Sequence, residues 1–290
     1  MSQDRNQRDY LMLEQDVHHV IFTDLDGTLL DHDTYSAAEV APLLHQLQCA
    51  NIEVIPTTSK TQAELLVLRE QLSLSSPFIV ENGAAVYLPV ARFKQPPQGT
   101  LHIGDYWVKN FSQTCEHWLL ILDEIEHEFT GLFTSFQAMS CEYLAQLTGL
   151  SPLEAQRAKQ RQFGMPVEWL GDRDQKRQFI QRLEAKGATV LEGGRFVHIS
   201  GEHDKGKAMH WLMEQYKNQH EANAKPLVSI ALGDSHNDIA MLEKADVAVR
   251  IASPHHERPQ LTCSHNVIDS TEYGPQGWNS SIRFLLKKHL

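Results

Sequence analysis

The sequence predicts an α/β fold in which a doubly wound parallel sheet is interrupted by a second, inserted α+β domain. Three observations predict it. Two short, wholly apolar runs, Val20-Ile21-Phe22 and Leu227 to Leu232, read as buried parallel strands, and each ends in an acidic turn. From residue 17 to about 88, strand and helix patterns alternate as βαβαβ, a rhythm that returns after residue 196. Between 89 and 195 the character shifts: Pro89, Pro96 and Pro97 mark an exit, Gly193-Gly194 a return, and aromatic residues and long helical patterns lie between.

Residues 1–16 are polar and lack the apolar core of a signal peptide, so a loose tail and a cytoplasmic location are expected. A strand over 17–23 comes next. Ser36-Ala37-Ala38-Glu39 reads as a capping box opening a helix to Cys49, and the strand Ile52 to Ile55 follows. Thr61-Gln62-Ala63-Glu64 is a second capping box, opening a helix to Leu72, and Phe78-Ile79-Val80 is the third strand. The insert, 89–195, includes a helical pattern from Cys115 to Glu128 and covers the carboxyl ends of the core strands. A helix near Gly206 to His220 follows, then the strand 227–232, a helix over 237–245, the strand Val247 to Ile251, a short strand near Val267 and a last helix from Asn279 to Lys288.

Composition limits the partners. With 37 acidic against 26 basic residues the net charge is -11, which disfavours nucleic acid and anionic membranes. An anionic substrate must therefore be drawn by a local positive site. No apolar run reaches the roughly 18 residues of a membrane span. Cys49, Cys115, Cys141 and Cys263 lack CxxC spacing, which fits reduced thiols. The 16 histidines include no HExxH, and adjacent pairs such as His18-His19 and His255-His256 do not share a helix face, so most are read as surface or packing residues.

Chemistry concentrates at the strand ends. Asp24 and Asp26, spaced i, i+2, leave a strand on one side, so that one carboxylate can attack while the other handles a proton. Gly27 permits a sharp turn, and Thr28 adds a hydroxyl and an N–H. An acidic turn closing a buried strand is the plainer reading. A second such end, Gly233-Asp234-Ser235-His236-Asn237-Asp238, favours convergence on a cation: Asp24, Asp234 and Asp238 would form a hard-oxygen site suited to Mg2+. A calcium EF-hand fits less well, since its sixth and twelfth positions would be Leu29 and Tyr35. Thr57-Thr58-Ser59-Lys60-Thr61 offers hydroxyls, a cation and a helix N-terminus to an anion. Lys205 and Lys207 open another helix, unfavourable placement unless something anionic lies nearby.

With these four motifs in order, the chain resembles the haloacid dehalogenase-like (HAD) phosphohydrolases: DLDGT, a Thr/Ser after the second strand, Lys-Gly, and GDSxND. The resemblance implies a Rossmann-like HAD core, 17–88 plus 196–290, with a large cap inserted after the third strand at 89–195. Within that subgroup the chain is most similar to the mannosyl-3-phosphoglycerate phosphatase family, on Thr58-Ser59-Lys60-Thr61, Phe78 to Gly83, Thr148-Gly149-Leu150, Ala158 to Phe163, His203 to Ala208 and Gly274 to Trp278. Where that family tends to read R-E-[YF]-S-E, this chain has Arg161-Gln162-Phe163-Gly164-Met165, losing two carboxylates and a serine.

The resemblance implies that Asp24 is the nucleophile and Asp26 the general acid and base, with Thr58 and Lys205 neutralising the transferred phosphoryl oxygens. Mg2+ would be held by Asp24, Asp234, Asp238 and the backbone carbonyl of Asp26. Thr28, Ser59, Lys60, Glu81, Asn82 and Arg161 are expected at the substrate, a small phosphorylated sugar. The expected reaction converts mannosyl-3-phosphoglycerate to mannosylglycerate and phosphate. A broader sugar-phosphate or glucosyl-3-phosphoglycerate phosphatase and a sugar phosphomutase are the alternatives. A receiver-like signalling module and a dehalogenase fit less well, and the sequence sets no oligomeric state.

Overall fold

The computed structural model describes residues 17–93, 95–192, 196–219, 225–262, 266–287 and 289–290; the tail expected at 1–16 and Gly193-Gly194 lie outside the described residues. Five parallel strands make the central sheet: β1 (His18–Thr23), β2 (Glu53–Pro56), β11 (Leu227–Gly233), β12 (Val247–Ala252) and β13 (Val267–Tyr273), in the order β13-β12-β11-β1-β2. Alternate residues of β1 enter two different cores. Ile21 packs with Val54, Ile230, Val249 and Trp278, whereas Val20 and Phe22 pack with Ile55, Ala231 and Met209. Helices cover both faces accordingly, with α1 (Ala41–Cys49), α2 (Gln62–Gln71) and α9 (Gly274–Leu285) on one and α7 (Lys205–Gln219) and α8 (Ile239–Lys244) on the other. This doubly wound sheet matches the expectation, because a strand buried on both faces must be apolar throughout.

The third strand behaves differently. β3 (Phe78–Val80) meets the central sheet through one parallel bridge, Thr57 to Ile79, and pairs antiparallel with β4 (Ala85–Pro89). The turn between them, Glu81-Asn82-Gly83, has φ of 47°, 59° and 93° and folds the chain straight back. Sheet β3-β4-β6-β5 is completed by β5 (Leu101–Ile103) and β6 (Tyr106–Asn110), and Tyr87 and Val108 pack into the core beside Phe78.

A third sheet, β7-β8-β10-β9, comprises β7 (Phe133–Ser135), β8 (Met165–Trp169), β9 (Thr189–Glu192) and β10 (Phe196–Ser200). With α3 (Cys115–Ile125), α4 (Cys141–Thr148), α5 (Pro152–Ala158) and α6 (Arg173–Ala185) it builds a separate core around Trp118, Leu144, Val167 and Phe179. Sheet membership thus differs from the divisions at 88/89 and 195/196: residues 101–110 belong with β4, and 196–200 with the insert. Of the prolines that suggested an exit, Pro89 ends β4, and Pro96 and Pro97 sit in the connection from β4 to β5 of the same sheet.

Two helix starts also differ from expectation. Ser36 does not cap α1; its Oγ accepts the Ala38 N–H, while Pro42 occupies the helix's first turn, where its fixed φ suits the start. The last helix begins at Gly274 rather than Asn279, with Pro275 in its first turn. That extra turn buries Trp278, whose Nε1 donates to Thr23 Oγ1 at 3.0 Å under the acidic strand end.

His19 lies inside β1 at 1% exposure, its Nε2 without a partner. Burial first, then the nearby His289 and His18, lower its pKa from 6.5 to about 4. The folded state therefore favours neutral His19, so its contribution is complete above pH 6.5 and is lost as pH falls toward 4. His19→Leu is expected to flatten the decline in thermal midpoint between those values; a decline as steep as the parent's would refute the assignment.

Candidate active site

The register of the sheet assembles the site. Thr23 pairs with Leu232, and Asp24 N–H donates to Leu232 O at 2.9 Å, so β1 and β11 end at one rim. This rim is where the chain order reverses beside β1, the place at which open α/β sheets bind ligands. β1 stops at Thr23, and Asp24 and Asp26 stand on the turn beyond it. Gly27 is at φ 77°, and a Cβ there would lie 2.7 Å from Asp234 Oδ2. Glycine is what lets the acidic turn approach β11.

Asp24, Asp234 and Asp238 are all buried, with one carboxylate oxygen from each within 4.8 Å of the others. Lys205, fully buried at the start of α7, donates to Asp24 Oδ1 at 2.5 Å and to Asp238 Oδ1 at 2.7 Å. The misfit of a lysine at a helix start is resolved by these two anions. α7 comes close enough because residue 206 is glycine; a Cβ there would lie 2.1 Å from Ala240 O. The second oxygen of Asp238 accepts the N–H groups of Asp234 and Ser235 at 3.1 and 3.0 Å. Thr28 supports the cluster from behind, its hydroxyl donating to Asp234 Oδ1 at 3.3 Å and its N–H to Leu25 O at 3.1 Å. Both Thr28 donors proposed for substrate are thereby engaged within the protein.

Three carboxylates thus face one ammonium in a low dielectric. Burial pushes Asp24 well above its ordinary pKa, against the pull of Lys205, and Asp238 and Asp26 add repulsion. Burial, then Asp238, likewise raises Asp234, with His256, Thr28 and Lys205 opposing. Burial disfavours charge on Lys205, but Asp238 and Asp24 outweigh it and raise its pKa. The residual negative charge and the all-oxygen donor set fit a hard divalent cation such as Mg2+. Asp24 and Asp234 are placed to hold it, with Asp238 beside them.

On the solvent side of the rim, Asp26 pairs with Lys60 at 2.8 Å, and its other oxygen has no protein partner. Burial works against the charge on Lys60, yet Asp26 and Glu64 raise its pKa. Thr58 is 1% exposed, and its Oγ1 accepts the Lys60 N–H at 3.1 Å, which leaves the hydroxyl proton to donate. The Thr61 capping box is present, with Thr61 Oγ1 accepting from Glu64 N–H at 3.2 Å and Glu64 Oε2 accepting from Thr61 N–H at 2.8 Å.

Of the remaining expected substrate residues, Ser59, Glu81 and Arg161 are engaged between core and insert, and Asn82 within the core. Glu81 accepts the backbone N–H groups of Gln162, Phe163 and Gly164 at 2.8, 3.2 and 2.8 Å, and Arg161 Nε lies 3.5 Å away. Arg161 also donates to Ser59 O at 3.1 Å, and Asn82 Oδ1 accepts from Asn237 at 2.9 Å. Gln162 bonds Gln62 and Tyr87 across the same boundary. In this arrangement Glu81 and Arg161 fasten the insert's loop to the core. Sequence reasoning did not single out Tyr87, and it read His256 as a surface or packing residue, whereas its Nε2 lies 3.2 Å from Asp234 Oδ2. Glu81→Ala would leave three N–H groups, that of Phe163 buried and the others partly so, without their acceptor, costing about 2–4 kcal/mol. Its expected result is a larger loss of kcat/KM for a bulky substrate than for a small aryl phosphate; equal losses would refute the fastening role.

Comparison with known proteins places this geometry. The family model described as haloacid dehalogenase-like hydrolase matches residues 21–100 and 154–272. A protein of Methanococcoides burtonii named glucosyl-3-phosphoglycerate/mannosyl-3-phosphoglycerate phosphatase is 35% identical over 271 residues, 93% of this chain and 98% of that one. One of the same name from Persephonella marina is 32% identical over 271 residues, covering 93% and 97%. Among solved structures, a Thermoplasma acidophilum protein matches with a TM-score of 0.64 at 15% identity, over 94% of this chain and 100% of its own. A HAD subclass IIB sugar phosphatase matches at 0.62 and 13%, over 94% and 100%. These two similarities concern the fold alone.

Proposed function

The chain belongs to the haloacid dehalogenase-like hydrolase family, and from that premise we propose that this phosphoric monoester hydrolase works through an aspartyl-phosphate, with Mg2+, on glucosyl- or mannosyl-3-phosphoglycerate. The observation that carries the chemistry is the buried Asp24, Asp234, Asp238 and Lys205 cluster with Asp26 on its solvent side. The substrate class rests on the two named relatives, which span nearly the whole chain.

Asp24 attacks phosphorus, and the bond to the leaving sugar or glycerate oxygen breaks as that oxygen takes a proton from Asp26. Asp26 then removes a proton from the water that splits the acyl phosphate, which divides one difficult displacement into two easier ones. Lys205 holds Asp24 in place and offsets charge on the phosphoryl oxygens, toward which the Thr58 hydroxyl donates. Lys60 steadies the Asp26 carboxylate on the leaving-group side. A bound Mg2+ would screen the repulsion between carboxylate and phosphate.

Phosphate release should be measured on glucosyl- and mannosyl-3-phosphoglycerate against glucose 6-phosphate and mannose 6-phosphate. The proposal expects the glycerate-linked compounds to lead by at least about tenfold in kcat/KM, a difference of roughly 1.4 kcal/mol in transition-state binding. Preference for the simple hexose phosphates would overturn the substrate class, and transfer of phosphate to a second hydroxyl would indicate a mutase. Excess EDTA should abolish turnover and added Mg2+ should restore it; activity that survives chelation would remove the metal from the scheme.

A further inference from the structure

Two loops frame the rim outside the carboxylate cluster: the turn at 31–36 and the segment 253–258 after β12. Their side chains meet. The rings of His32 and His255 have centroids 4.2 Å apart, and His255 Nε2 lies 3.7 Å from Asp33 Oδ1. One donor atom from each of His32, Asp33 and His255 falls within 4.8 Å of the other two. Both loops are held locally: Asp31 Oδ1 accepts the N–H groups of Asp33 and Thr34, and Ser253 Oγ accepts that of His255.

We propose that His32, Asp33 and His255 form a second metal site that takes a borderline transition ion such as Zn2+, separate from the carboxylate cluster and differently selective. Two imidazole nitrogens and one carboxylate oxygen are the donor set that Zn2+, Co2+ and Ni2+ prefer, whereas a carboxylate-only cluster suits Mg2+. All three residues are exposed, so the ion enters from solvent and water completes its coordination. The bound ion ties the two loops together. It also restrains the neighbouring His256, whose Nε2 lies 3.2 Å from Asp234 Oδ2. Tying them slows exchange at the rim, so Zn2+ inhibits in a manner that extra Mg2+ does not relieve.

The test is titration of the full chain with Zn2+ by calorimetry, and with Co2+ by visible absorption, both in saturating Mg2+. One ion per chain is expected, with the Co2+ bands of histidine ligation. His255→Ala, His32→Ala and Asp33→Ala should each weaken Zn2+ binding and Zn2+ inhibition together by at least about tenfold. Turnover with Mg2+ alone should stay near the parent's, which also verifies folding. Absence of Zn2+ uptake, uptake unchanged by His255→Ala, or uptake lost only in Asp234→Asn would overturn the site, the last placing the ion in the carboxylate cluster. Binding is read without substrate, so the result stands apart from the proposed phosphatase reaction.

Discussion

Asp24→Asn is expected to reduce phosphate release by more than about 10^4-fold, the scale seen when a covalent enzyme loses its nucleophile. The fold should survive. Asp24 is one of three buried carboxylates facing the single ammonium of Lys205, and burial already pushes its pKa upward. An amide of the same shape removes part of that repulsion, so the metal-free variant should melt at or above the parent's midpoint. A single-turnover experiment with acid quench should recover phosphorylated protein from the parent and none from the variant. Parent-like turnover in Asp24→Asn would remove Asp24 from the nucleophile's role, and a lower midpoint would contradict the electrostatic account of the cluster.

Lys205→Met should have the opposite stability signature. The lysine is fully buried and bonds both Asp24 and Asp238, so its loss leaves two buried carboxylates without their counter-charge. Breaking one side of a buried ion pair costs about 3–5 kcal/mol. For a chain of this size that corresponds to a fall of roughly 6–20 °C in thermal midpoint. Turnover should fall at least about 10^2-fold as well, since a positive charge beside the transferred phosphoryl group is lost. Saturating Mg2+ should recover part of the midpoint by supplying positive charge to the same oxygens. A variant as stable as the parent without metal would show that the cluster is not held by this lysine.

The contrast between these two substitutions follows from one imbalance: an excess of buried negative charge, of which Lys205 offsets a part. The acidic members were legible in the sequence because each follows a wholly apolar strand, a pattern that places carboxylates at a sheet edge. Lys205 was legible as an anomaly, a cation at the wrong end of a helix. Its partners were not, because Asp24 and Asp238 lie 181 and 33 positions away, and only the packing of α7 on α8 through Gly206 brings it to them.

The insert was legible as a change of composition and poorly legible in its limits. Prolines signal a break in regular structure without saying which sheet the next strand joins. Residues 106–110 pair with β4 and 101–103 pair with β6, while the turn at Glu81-Asn82-Gly83 folds β3 back onto β4. Glu81 was expected at the substrate from the family resemblance. Its acceptors are instead filled by three N–H groups of a loop about 80 residues later in the chain.

Local patterns by themselves determined the strand and helix rhythm, the two acidic strand ends and the capped helix at Thr61, since each depends on neighbours within a few residues. The tertiary structure alone decided which strand β3 serves, that Glu81 and Arg161 grip the insert, and that His32, Asp33 and His255 converge. Those outcomes depend on pairing register and on contacts between distant segments. Short-range periodicity carries no information about either.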